Sequence, residues 1–214
     1  MTALAEDGLA LLGALEGEAD LILTDPPYGI TEISWDQAPD WGRFLQLARR
    51  ALTPRGNLVL FAAGKAVFQV MRALEEMEWS YYELVWPKRN TTGFLDVKRR
   101  PLRAHEWVIV APRDWKLSTY NPLKWKAPGW KEGVKKMRSK SRAGAHWRCK
   151  PTAPHIDDGT RYPRSVLYPF SLEAGERLGH PTQKPLALAR YLVATYSDPG
   201  GLVVDPFAGS GTFG

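Results

Sequence analysis

Short, wholly apolar runs alternating with segments of helical period constrain this chain's fold more than any other feature. Leu21-Ile22-Leu23-Thr24, Asn57-Leu58-Val59-Leu60-Phe61 and Leu202-Val203-Val204-Asp205 lack the polar residue at every second position that a half-solvated strand shows. They read as strands buried on both faces. Around them, Ala10, Leu11, Leu12 and Leu15 fall at helical spacing, as do Phe44, Leu45, Ala48 and Leu52, and then Val67, Val70, Met71 and Leu74. Asp40 stands where it would cap the second of these helices, and Thr53-Pro54-Arg55-Gly56 breaks it. Strand, helix, strand, helix implies a parallel sheet covered by helices. Glu83-Leu84-Val85-Trp86 and Trp107-Val108-Ile109-Val110 add two strands, and 214 residues accommodate one such α/β domain with an insertion.

Directly behind the first buried strand stands Asp25-Pro26-Pro27-Tyr28. The carboxyl ends of strands are where open α/β sheets place their ligands. Asp25 accepts a hydrogen bond, and Pro26 offers a carbonyl whose direction the ring of Pro27 helps fix. Two acceptors grip one amino group, and Tyr28 supplies a flat face on which a planar ring can lie. The tetrad therefore suits a flat heterocycle carrying an exocyclic NH2. Taken alone, the same four residues also describe a proline turn with an N-capping Asp.

The last strand run is followed by Pro206-Phe207-Ala208-Gly209-Ser210-Gly211-Thr212, whose glycines allow a tight turn and close backbone approach to a ligand. Asp-Pro-Pro-Tyr together with Asp-Pro-Phe-Ala-Gly-Ser-Gly-Thr, preceded by His180-Pro181-Thr182-Gln183-Lys184-Pro185, resembles the amino-group DNA methyltransferases that use S-adenosylmethionine. The order, with the tetrad first and the glycine loop last, is similar to their beta arrangement. The resemblance implies a Rossmann-like methyltransferase sheet, catalysis by Asp25, Pro26, Pro27 and Tyr28, and double-stranded DNA as substrate. It places the cofactor against Asp205, Pro206, Phe207, Gly209, Ser210, Gly211 and Thr212. His180, Thr182 and Lys184 fall on the cofactor side as well, Thr182 and Lys184 toward the cofactor's carboxylate. Asp at the first tetrad position resembles the adenine-N6 enzymes more than the cytosine-N4 enzymes, and both alternatives stay open.

Charge is distributed in a way that bears on the partner. Trp86 to Lys150 carries 18 Lys and Arg against 4 Asp and Glu, a local +14, leaving 11 against 19, or −8, for the rest of the chain. Such a segment suits a polyanion. From Arg113 to about Pro163 helical and strand periodicity disappears, and Lys and Trp interleave, as in Lys124-Trp125-Lys126. By itself the basic run Lys135 to Arg142 is more often only a solvated face or a flexible loop. In the beta arrangement this interval holds the target-recognition region, so Lys135, Lys136, Arg138, Lys140 and Arg142 are the candidate phosphate contacts. The expected layout is a catalytic half at 1–112, a basic irregular insertion at 113–163, and a return segment opening the cofactor half at 164–214. The loop from Gly29 to Pro39, with Trp35, is either a substrate-contact loop or an ordinary strand-to-helix connection.

A single cysteine, Cys149, excludes an internal disulfide and an all-cysteine metal site, which fits a reducing cytoplasm, and no metal is expected. No apolar run approaches the ~20 residues of a membrane span. The chain stops at Gly214, two residues after Thr212, where relatives of this order continue with a helix and two further strands. Truncation of the C-terminal strands is therefore expected. A homodimer or a complementing chain would cover the open edge, and a DNA-binding module without methyl transfer is the alternative function.

Overall fold

The computed structural model describes residues 8–29, 37–126, 158–168, 170–172, 183–209 and 211–213. They divide into two compact units, one made of 1–121 with 164–214 and one of 122–163. In chain order the elements are α1 (Gly8–Ala14), β1 (Ala19–Thr24), α2 (Trp41–Ala51), β2 (Leu52–Ala62), α3 (Lys65–Glu76), β3 (Tyr82–Thr92), β4 (Arg103–Pro112), β5 (Trp125–Lys126), β6 (Thr160–Arg161), α4 (Leu186–Tyr196) and β7 (Val203–Val204). In the smaller unit, β5 and β6 form an antiparallel pair.

The larger unit holds a five-stranded sheet in the order β3-β4-β2-β1-β7. β1 lies at its parallel heart, with β2 on one side and β7 on the other. The remainder of the sheet is antiparallel, where the strand and helix alternation implies a parallel one: β4 runs against both β2 and β3. The reason lies in the connection 93–102, which is shorter than the dozen or so residues a parallel crossover requires and so closes β3 and β4 into a hairpin.

Side-chain alternation along the strands divides the core in two. Ile22, Leu58, Leu60, Ile109 and Val204 face α1, α2 and α3, meeting Leu12, Phe44, Leu45, Val70 and Leu74. Leu21, Leu23, Val59, Phe61, Val108 and Val110 face the other way, against Leu188, Leu192 and Tyr196 of α4. Both faces being covered is what makes the strand runs continuously apolar. α2 begins as its sequence suggests, with the Asp40 carboxylate accepting from the Arg43 amide at 3.0 Å.

One local departure from the sequence pattern has a physical cause. Thr53 to Gly56 does not separate α2 from a later strand but lies within β2, taken up by a register jump from Ala19↔Leu52 to Leu21↔Asn57. Gly56 permits this, because a Cβ there would stand 2.7 Å from the Ala19 carbonyl oxygen. At α4, Pro185 is the N-cap residue and the first helical position is Leu186. The return segment adds to the sheet's outer edge, with Val85 donating to Ser165 O and Leu167 donating to Val85 O, each at 2.8 Å.

Candidate active site

The tetrad follows β1 directly, as Asp205 follows β7. Because β1 and β7 are parallel neighbours with Leu21 opposite Val203 and Ile22 opposite Val204, the two segments leave the sheet side by side at its carboxyl edge. A hydrogen bond ties them: the Thr24 hydroxyl donates to Asp205 Oδ1 at 2.6 Å, and the same oxygen accepts from the Phe207 amide at 3.0 Å. The other oxygen, Oδ2, is buried and has no hydrogen-bond partner. Burial pushes the Asp205 carboxyl up to about 6, against the hydrogen bonds from Thr24 and Phe207, and the nearby charge of Asp25 adds to the rise.

Asp25 is partly buried and both its oxygens are engaged. Tyr28 donates its hydroxyl proton to Oδ1, and the Lys184 ammonium pairs with Oδ2. Lys184 is 5% exposed, and its Nζ also lies 3.3 Å from Glu106 Oε2 and 5.0 Å from the centre of the Phe61 ring. Glu106, on β4, takes Lys88 from β3 at 2.9 Å on its other oxygen. Two carboxylates and two ammoniums thus alternate in a half-enclosed row. Burial alone would lower the pKa of Lys184, but the charges of Asp25 and Glu106 outweigh it and hold the ammonium above its ordinary range. Burial would likewise raise Glu106, yet Lys184 and Lys88 bring it below the usual carboxylate value.

The glycine turn follows Asp205 and Pro206. Gly209 and Gly211 both take positive φ, 51° and 72°, and the Gly211 amide donates to Ala208 O at 2.7 Å. Phe213 is buried and lies stacked on Phe61, with ring centres 5.6 Å apart and planes 7° from parallel. At the loop's start, Gly8 of α1 touches Pro206 so closely that a Cβ would sit 1.8 Å from the Pro206 carbonyl oxygen.

The tetrad and the turn carrying Asp205, Pro206, Phe207, Gly209, Gly211 and Thr212 are separate motifs in the sequence, and in the structure they leave the sheet from the neighbouring strands β1 and β7. Sequence reading sets Lys184 toward the cofactor's carboxylate, whereas its ammonium here is held by Asp25 and Glu106. His180, Thr182, Ser210, Trp35 and the basic set Lys135, Lys136, Arg138, Lys140 and Arg142 lie outside the described residues. Glu106, Lys88, Thr24 and Gly8 are missed by sequence reading. Of these, Glu106 had one signal, a carboxylate immediately before the buried run Trp107 to Val110.

A mixed sheet with these two motifs on its adjacent parallel strands defines an α/β methyltransferase domain. The family of N6 and N4 methyltransferases, described as DNA methylase, matches residues 19–214, and the chain belongs to this family. The chain is similar to the type II methyltransferase M.HpaI of Haemophilus parainfluenzae, at 26% identity over 213 residues, covering 95% of this chain and 62% of that protein. In fold it matches the M1.HpyAVI–SAM complex with a TM-score of 0.60 at 22% identity, over 98% of this chain and 83% of that one. It also matches the PvuII cytosine-N4-specific DNA methyltransferase with a TM-score of 0.65 at 18% identity, over 97% and 74%. No helix among the described residues is long and apolar enough to cross a membrane.

Proposed function

We propose that this chain transfers a methyl group from S-adenosylmethionine to the exocyclic amino group of a base in double-stranded DNA, with adenine N6 favoured over cytosine N4. The carrying observation is the departure of Asp25-Pro26-Pro27-Tyr28 and the Asp205 glycine turn side by side from β1 and β7, joined by Thr24 and Asp205. The residues present fit the cofactor: a buried carboxylate oxygen without a partner, Asp205 Oδ2, suits a ligand bearing an ammonium or sulfonium charge. Asp205 and the turn from Pro206 to Thr212 would hold it, and when bound it supplies a methyl group on a positively charged sulfur.

The chain's own residues act on the base. An exocyclic amino nitrogen is a poor nucleophile because its lone pair is delocalised into the ring. Asp25 and the Pro26 carbonyl, each accepting one N–H, favour the pyramidal, partly positive nitrogen of the transition state over the planar ground state. Lys184 fixes Asp25 through Oδ2, leaving Oδ1 as the oxygen that meets the amino group in place of, or beside, the Tyr28 hydroxyl. The target base leaves the helix to reach Asp25 and lies on the Tyr28 ring. Lys135, Lys136, Arg138, Lys140 and Arg142 would contact phosphates.

The test is incubation with tritiated S-adenosylmethionine and unmethylated duplex DNA, followed by digestion to nucleosides. Label in N6-methyladenine is expected, and label in N4-methylcytosine would transfer the proposal to the alternative base. DNA binding without any label would instead support a binding module.

A further inference from the structure

The hairpin joining β3 and β4 presents a feature that neither the core nor the tetrad uses. Between Lys88 and Arg103 it carries four basic residues, Arg89, Lys98, Arg99 and Arg100, and one acidic residue, Asp96. At its tip Phe94 is 64% exposed, Leu95 fully exposed and Val97 52% exposed. The tip is nonetheless ordered. Gly93 enters it at φ 94°, Phe94–Asp96 forms a 3-10 turn, and the amides of Asp96, Val97, Arg99 and Arg100 donate to Gly93, Phe94, Asp96 and Asp96 carbonyls. An ion pair between Arg100 and Asp96 adds to the framework. Large apolar side chains held outward on a stitched turn cost free energy in water unless something covers them.

Register says where the tip points. β3 is antiparallel to β4 and β4 to β2, so β3 runs parallel to β1 and its hairpin leaves by the same edge as the tetrad. Thr24 is level with Leu60, and Leu60 with Ile109. From Ile109, β4 extends six residues to Arg103, which at ~3.4 Å per residue places the base of the tip about 20 Å beyond the end of β1.

We propose that this hairpin is a DNA wedge: Phe94 and Leu95 insert between base steps of the duplex while Arg89, Lys98, Arg99 and Arg100 hold the flanking phosphates. The proposal rests on DNA being the substrate and adds the element that opens the helix for Asp25. Charge complementarity favours DNA, because the exposed apolar pair is flanked in sequence by exposed cations and projects on the edge where a base must arrive. Apolar insertion unstacks and kinks a duplex in a way that phosphate contacts alone do not.

The test separates affinity from distortion. A nicked plasmid is sealed by ligase in the presence of the full chain, so that unwinding is recorded as a change in linking number at random sequence, and duplex affinity is measured in parallel. Wild type is expected to unwind DNA. Phe94→Ser/Leu95→Ser should keep affinity within about threefold yet lose most of the unwinding, and Arg99→Ala/Arg100→Ala should lose affinity by about tenfold or more at moderate salt. Unwinding by the serine variant equal to wild type overturns the wedge, as does capture of the tip by anionic vesicles or self-association with no duplex binding. Methyl transfer to single-stranded DNA, measured on the same proteins, reports on the catalytic reading separately. Unwinding without any methyl transfer would leave the wedge standing and sink the enzyme, whereas single-strand transfer with no unwinding would do the reverse.

Discussion

The Lys184 ammonium pairs with the Asp25 carboxylate across 159 residues of sequence, joining the tetrad behind β1 to the segment that leads into α4. Glu106 and Lys88 complete the row, so each buried charge meets one of opposite sign. The pairing fixes the rotamer of the acceptor proposed to grip the amino group. Holding the Lys184 ammonium against Asp25 also means that the tetrad is preorganised by a residue remote from it in sequence.

Lys184→Met removes the cation shared by Asp25 and Glu106 and leaves two half-buried carboxylates without it. The loss is expected to be on the order of 3 kcal/mol, since breaking a buried pair costs more than the pair itself contributes. Urea unfolding at pH 7 checks it. The pH dependence of wild type follows from the signs. Lys184 is raised above 10.5, so its contribution is complete below that value and fades as pH rises through the folded pKa. Glu106 is lowered below 4.5, so its contribution is complete above that value and fades as pH falls through the folded pKa. The row should therefore leave stability flat from about pH 5 to pH 10 and erode it outside that window.

Asp205 gives the opposite profile near neutrality. Its folded pKa of about 6 exceeds the ordinary 3.8, so its contribution is complete below 3.8 and is lost as pH rises through 6. Asp205→Asn should raise stability relative to wild type at pH 7 by on the order of 2 kcal/mol and change it little at pH 4, as read by urea unfolding at the two values. A cationic ligand at Oδ2 favours the ionised carboxylate. S-adenosylmethionine affinity, measured by calorimetry, should accordingly strengthen as pH rises through 6 in wild type and lose that dependence in the variant.

Tyr28→Phe keeps the ring and removes the hydroxyl that occupies Asp25 Oδ1. Methyl transfer should survive with a change of less than about tenfold in kcat, because stacking on the ring remains and Oδ1 becomes more accessible. A loss as large as that of an Asp25 variant would mean that the hydroxyl itself takes part in the reaction.

Asn57 is buried and donates both amide protons, to Thr119 O at 2.9 Å and to Tyr196 O at 3.0 Å, pinning the C-terminal end of α4 to β2. Asn57→Leu leaves two carbonyls without this donor and should cost about 2 kcal/mol, visible as a lowered urea midpoint with an unchanged slope.

Gly8→Ala drives a methyl group into the Pro206 carbonyl, a backbone contact that no rotamer relieves. The loop must move, so S-adenosylmethionine affinity should fall by about tenfold or more while α2 and α3 remain folded by circular dichroism.

How far the fold was legible follows from which forces wrote it. The buried strands β1 and β2 and the helices α2 and α3 announce themselves through local periodicity, and Asp40 caps where its side chain predicts. The antiparallel β3 and β4 could not be read from period alone, because the apolar runs Glu83 to Trp86 and Trp107 to Val110 leave 87–106 between them, long enough for a crossover, and it is the extension of both strands in the structure that shortens the connection to 93–102. The site divides the same way. Asp25 to Tyr28 and the Asp205 turn are contiguous in sequence and therefore legible, whereas the Glu106–Lys184–Asp25 row is assembled by sheet order, which brings β4, β2 and β1 into register. The Gly8 contact with Pro206 is likewise set by tertiary approach, with no local signal at Gly8.

The most direct test of the central claim is transfer of labelled methyl from S-adenosylmethionine to unmethylated duplex DNA by wild type and by Asp25→Ala, with cofactor binding measured on both. The account predicts label in adenine with wild type, none with Asp25→Ala, and cofactor binding in each. Turnover that survives in Asp25→Ala, or a wild-type chain that binds cofactor and DNA and transfers nothing, would contradict it.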